Sequence, residues 1–142
     1  MAVTVGQRAS RRLTLTPEHV EKFAEISGDR NPLHFDEAFA GATKFGRLVV
    51  QGGLTTGLLH ALVAMDLLGP GTVFLSQNWK FTAPVFIGDT VHLETEVIAK
   101  EERRPGRDGV VTLQWNAVNQ NGKTVMSSQL KCLMGHRPKE AR

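Results

Sequence analysis

Leu54, Leu58, Leu59, Leu62, Val63, Met65, Leu67 and Leu68 crowd one stretch that opens on Gly52-Gly53 and is cut off by Gly69-Pro70-Gly71. Apolar side chains at that density cover a helix nearly all round. Such a helix is not a surface helix, and something must be wrapped around it. The stretch also holds Thr55, Thr56, His60 and Asp66, and its fifteen residues fall short of the roughly 20 that span a bilayer. Its cover is therefore protein, no membrane partner is expected, and the N-terminus lacks an apolar signal core.

The cover is legible downstream. From residue 72 the apolar period changes from 3.6 to 2. Val73, Leu75, Trp79 and Phe81 are predicted to point one way, and Val91, Leu93, Val97 and Ala99 alternate with His92, Glu94, Glu96 and Lys100. Val111, Leu113, Trp115 and Ala117 repeat the pattern, as do Met126, Leu130, Cys132 and Met134. Asn121-Gly122 between the last two is a strong hairpin signal. A two-residue turn there pairs Ala117 with Met126, Leu113 with Leu130 and Val111 with Cys132, which puts both apolar sets on one face. The stretch around Arg11 to Leu15 can add a fifth strand, and residues 103–109 read as a hairpin loop. An antiparallel sheet with one apolar face and one helix in need of cover give an α+β architecture, the sheet curved around a long central helix in a hot-dog arrangement.

A chain of 142 residues can bury a core of the size a single domain needs without disulfide or structural metal, so one domain is expected over residues 1–142. Cys132 is the one cysteine; with no CxxC pair, a zinc ribbon and a dithiol redox motif are excluded, and a reducing, cytoplasmic location is expected. The net charge of +3 sits at the ends: Arg8, Arg11 and Arg12 near the start, and Arg137, Lys139 and Arg142 against Glu140 at the finish, with −2 between them. Flexible basic tails over 1–11 and 137–142 account for it, and no nucleic-acid partner is expected.

Without tyrosine, acid and base groups near neutral pH must come from five histidines and fourteen carboxylates. His19 begins a helix started by Thr16-Pro17-Glu18, His92 lies on the polar face of a strand and His136 is near the end, all surface positions. His60 reads as a hydrogen-bonded core residue or as a functional one. His34 follows Asp29 by five residues, in a loop opened by Gly28 and stiffened by Pro32. That tether holds a carboxylate and an imidazole where together they can activate one water, although Asp29 and Asn31 also suit plain turn roles. Gln51-Gly52-Gly53 presents unobstructed amides at a positive helix end, suited to a developing oxyanion or equally to close helix–sheet packing.

Ser27-Gly28-Asp29-Arg30-Asn31-Pro32-Leu33-His34, followed by Asp36, Ala38 and Phe39, resembles the signature of the MaoC-like, (R)-specific enoyl-CoA hydratases, the hydratase 2 group. The resemblance runs on through Thr43-Lys44-Phe45-Gly46, the helix start at Gly52 and Phe81-Thr82-Ala83-Pro84-Val85-Phe86-Ile87-Gly88-Asp89, and covers roughly residues 12–135. It implies a hot-dog homodimer or higher homo-oligomer acting on an acyl-CoA or acyl-carrier thioester, without metal or redox cofactor. It further implies that Asp29 and His34 activate water for reversible syn hydration of a trans-2-enoyl-CoA, that the Gly52 amide holds the thioester oxygen, and that Asn31 orders the loop. Two positions depart from the family pattern. Gln51 stands where the family usually has histidine, and His60 where a small hydroxyl residue is common, which makes His60 a candidate acyl-pocket residue. The alternatives are a non-catalytic acyl-thioester binding subunit and a hot-dog thioesterase. The thioesterase calls for a carboxylate early in the central helix, where the first is Asp66, near its end.

Overall fold

The computed structural model describes residues 3–104 and 108–135. In chain order the elements are β1 (Arg8–Thr14), α1 (Pro17–Ser27), α2 (Pro32–Phe35), α3 (Glu37–Gly41), α4 (Gly52–Ala61), a π-helical continuation (Leu62–Leu67), β2 (Val73–Phe81), β3 (Thr90–Arg104), β4 (Asp108–Val118) and β5 (Thr124–Gly135). The strands form one antiparallel sheet in the order β1-β3-β4-β5-β2. Its inner face carries Val91, Leu93, Leu113, Trp115, Leu130 and Cys132 against Leu59, Leu62, Val63 and Leu67 of the central helix, all buried in one core. Each such side chain contributes about 1.5–3 kcal/mol by leaving water.

The wrap is one-sided. Leu54 and Leu58 are half-buried and Met65 is 74% exposed, so one flank of the helix has no full cover among the described residues. The last part of the helix also widens: the Leu68 amide reaches back five residues to the Val63 carbonyl at 2.8 Å, a π turn, before Gly69 and Gly71 leave it at positive φ. Among the described residues no helix is long and apolar enough to cross a membrane.

The basic N-terminal stretch is not a free tail. Arg8, Arg11 and Arg12 lie in β1, which starts three residues before the predicted strand and pairs with β3. Val3 is buried, and the Lys100 ammonium donates to its carbonyl at 2.8 Å. Two of these arginines meet acids at the edge of the sheet: Arg8 sits 2.6 Å from Glu96, and Arg11 pairs with Asp66 of the π segment. Charges of this kind also protect an edge strand from unwanted pairing. The expected tail over 137–142 lies outside the described residues.

The predicted β4–β5 register is present, pair for pair, but by another route. The Asn119 amide donates to the Lys123 carbonyl at 2.9 Å, so three residues, not two, make the turn, with Gly122 at φ +78°. A bulge at Val125 then restores the predicted pairing from Met126 onward. In β2 a bulge at Leu75 reverses the facing of what precedes it: Phe74, not Val73 or Leu75, turns inward with Trp79. The loop expected over 103–109 is also shorter, because β3 runs to Arg104 and β4 begins at Asp108. The Arg104 guanidinium bonds the Asp108 carboxylate and holds its pKa below the usual range.

Cys132, fully buried on β5, has its thiol pushed up to about 12 by desolvation. The folded state then holds a proton that the unfolded thiol loses from about pH 9, so stability falls as pH rises between those values. A thiol-alkylating reagent at pH 8 is expected to leave Cys132 unmodified in the native protein and to label it fully in denaturant, read by intact mass. Rapid native labelling contradicts the packing described.

Candidate active site

Helix α1 delivers the first component. Thr16 and His19 exchange side-chain and backbone hydrogen bonds in a capping box, which is the role His19 takes here. Val20 and Ala24 bury the inner face, and Gly28, at φ +80°, ends the helix in the left-handed conformation with its amide on the Ala24 carbonyl. The chain leaves this turn into a run of local bonds. Ser27 Oγ donates to the Phe23 carbonyl at 2.7 Å and accepts the Asp29 amide at 3.1 Å. Asp29 Oδ1 accepts the Asn31 amide at 3.3 Å, and Asn31 Oδ1 accepts the Leu33 amide at 3.0 Å, capping α2 ahead of Pro32.

Turn chemistry and a site role are both available to Asp29, because its two oxygens differ. Oδ1 serves the turn, while Oδ2 lies 3.5 Å from His34 Nε2. The Asp29 side chain is 44% exposed and that of His34 only 10%. On the far side of the imidazole, Nδ1 is 2.6 Å from the Val49 carbonyl oxygen. A carbonyl only accepts, so Nδ1 carries the hydrogen, and in neutral His34 the Nε2 lone pair is left facing Asp29. Val49 is itself fixed: its amide donates to the Leu33 carbonyl at 3.2 Å, it bridges to Phe86, and the next amide, of Val50, donates to Val85 at 2.7 Å.

Two residues further on, α4 begins. His34 and Gly52 line one cleft of about 470 Å³, together with Lys44, Thr55, Phe81 and Met126. Gly52 occupies the first helical position, where the amide has no intrahelical acceptor and the helix end is positive. The packing reading of the glycine pair holds alongside this one. A Cβ on Gly52 would come within 2.9 Å of the Phe81 ring, and one on Gly53 within 2.6 Å of Phe23 on α1.

Thr55 is a lining residue that the sequence reading did not select; its spacing of three from Gly52, which puts both on one helix face, is the signal that finds it. Of three cations near this end of the fold, Lys44 lines the cleft, Arg47 stacks on Phe86 at 4.0 Å, and Lys80 lies on the outer surface of the sheet. His60 is not brought to the cleft. The Gln77 amide nitrogen stands 2.7 Å from its Nε2, and its ring lies against Phe74 (4.6 Å), Trp115 (5.5 Å) and Trp79 (5.8 Å). His92 pairs with Glu94 at the surface, and His136 lies outside the described residues. Among the described residues, no group of three His, Cys, Asp or Glu side chains is placed to hold a metal ion.

A family model described as a MaoC like domain matches residues 2–119. The (R)-specific enoyl-CoA hydratase of Aeromonas caviae is 37% identical over 90% of this chain and 92% of that protein. The 3-hydroxybutyryl-CoA dehydratase of Methylorubrum extorquens is 43% identical over 70% of this chain and 65% of its own length. A mitochondrial 3-hydroxyacyl-[acyl-carrier-protein] dehydratase of Arabidopsis thaliana is 32% identical over 70% and 59%. Among solved structures, the (R)-hydratase from A. caviae involved in PHA biosynthesis superposes with a TM-score of 0.85 at 36% identity, covering 93% of this chain and 97% of that one. The imidazole–carboxylate pair beside a helix-start amide thus stands in a hot-dog fold shared with these proteins, and the chain belongs to the MaoC-like dehydratase family.

Proposed function

We propose that the protein catalyses the reversible hydration of a trans-2-enoyl thioester, carried by CoA or by an acyl-carrier protein, to the (R)-3-hydroxyacyl thioester. The observation that carries this reading is His34 Nε2: bare in the neutral ring, 3.5 Å from a carboxylate oxygen, and on a residue that shares its cleft with the Gly52 amide. One water lying over the pair can donate a hydrogen bond to each. As its oxygen bonds to C3, one proton passes to the pair, and a proton returns to C2 on the same face, so that H and OH add across the double bond. The charge that develops meanwhile on the thioester oxygen is held by the Gly52 amide at the positive end of α4.

The names of the relatives support the reaction class and the R configuration. A thioesterase finds less support, since Asp66 lies beyond α4 in the π segment, faces solvent and is paired with Arg11. We read the uncovered flank of the central helix, with Leu54 and Leu58 of α4 and Met65 of the π segment, as the surface that a second copy covers in a homodimer. We assign His60 to the end of the acyl pocket. It follows Thr55 by five residues, about 7.5 Å further along the helix, and its ring lies against Phe74, Trp79 and Trp115 in the interior beyond the cleft lining.

Asp29→Asn and His34→Ala are each expected to lower crotonyl-CoA hydration by about 10²- to 10⁴-fold while circular dichroism stays native. Near-normal turnover in both removes the assignment, and binding of enoyl-CoA by a wild-type protein that shows no turnover replaces it with the binding-subunit reading. Across enoyl-CoAs of increasing length, His60→Ser should raise kcat/KM for an eight-carbon chain relative to a four-carbon one by about tenfold or more. An unchanged length profile places the pocket end elsewhere.

A further inference from the structure

Gln51 is fully buried at the N-terminal boundary of α4, yet it does not cap the helix. Its side chain turns away, and its Nε2 donates to the Val20 carbonyl on α1 at 2.9 Å. Because that carbonyl can only accept, the orientation of the amide is fixed, and Oε1 is left buried with no donor. A buried unpaired carbonyl oxygen is destabilising, whereas an apolar side chain of similar volume fills the same space without it. Packing alone therefore does not account for an amide at this position.

The bond does close a circuit through the candidate site. From Val20, α1 runs to Gly28 and on to Asp29; Asp29 faces His34 across 3.5 Å; His34 Nδ1 is held by the Val49 carbonyl; and two residues after Val49, Gln51 returns to Val20. Gly52 follows directly. Were the circuit open at Gln51, the Val49 bonds to Leu33 and His34 would still hold the far end of the loop, but α1 itself would meet the start of α4 through apolar contact such as Phe23 beside Gly53. We propose that Gln51 is a positioning residue which, through Val20, fixes the separation between the Asp29–His34 pair and the Gly52 amide. The proposal rests on the hydratase reading above. It concerns a residue that touches neither substrate nor reacting atoms and acts only through the geometry of those that do.

Displacements of about an ångström at a reacting centre lower rates by up to about a hundredfold while leaving binding largely intact. Gln51→Met keeps the volume and removes the donor. It is expected to lower kcat for crotonyl-CoA hydration by about tenfold to a hundredfold, with KM within about twofold of wild type. Gln51→His restores a ring N–H that can reach the Val20 carbonyl, and is expected to return kcat to within about threefold of wild type. Gln51→Asn, with the amide one methylene short, gives the same loss as Gln51→Met and serves if that variant does not fold. A folded Gln51→Met with wild-type kcat overturns the proposal, as does a Gln51→His as impaired as Gln51→Met. Amide hydrogen exchange at residues 29–31 and 51–53 is measured on the same proteins, and is expected to quicken by about tenfold in Gln51→Met and not in Gln51→His. If the wild-type chain shows no hydration, the functional reading fails by itself, and exchange alone decides the tether: unchanged rates in Gln51→Met overturn it.

Discussion

The bond from His34 Nδ1 to the Val49 carbonyl is the contact on which the rest of the site depends. An imidazole 3.5 Å from a carboxylate is ambiguous, since either nitrogen can carry the hydrogen and the ring can turn. A carbonyl on the opposite side removes both freedoms, so that in the neutral ring the lone pair lies on the nitrogen that faces Asp29. The bond is useful only because Val49 cannot follow the ring: it is pinned to Leu33 and Phe86, and the next residue is pinned to Val85. The three residues after Val49 then lead into α4, so the peptide segment that orients the imidazole also presents the Gly52 amide.

Burial explains why this segment holds still. Leu59, Leu62 and Val63 lock the central helix against the sheet, and a helix fixed along its length has a fixed beginning. The fold thus secures the amide end of the site through apolar packing far from it. The Asp29 end is secured differently, by a glycine-terminated helix and a chain of short side-chain-to-backbone bonds from Ser27 to Leu33. These bonds leave Asp29 partly open to solvent while His34 stays buried, so a water can reach the pair from the carboxylate side.

The architecture and the loop holding Asp29 and His34 were legible in the sequence because each rests on short-range rules: all-round apolarity, alternation, an Asn-Gly turn, a proline after a helix-ending glycine. Departures appear where two rules offset each other. The three-residue turn at 120–122 and the bulge at Val125 cancel, so the register matched although the turn did not, whereas the bulge at Leu75 stands alone and turns Phe74 inward. The basic residues of β1 looked like a tail because their partners, Glu96 and Asp66, are distant in sequence. For the same reason the Val49 carbonyl and the Gln51–Val20 bond were invisible. A backbone acceptor has no sequence signature, and a buried glutamine reads as polar surface until the fold encloses it.

Hydration of crotonyl-CoA in D₂O, with the product examined by proton NMR and chiral analysis, tests the central claim most directly. A single water activated by the Asp29–His34 pair on one face of the enoyl group predicts a 3R product with deuterium at C2 on the same side as the hydroxyl at C3. A 3S product, or deuterium delivered to the opposite face or to both, contradicts the account.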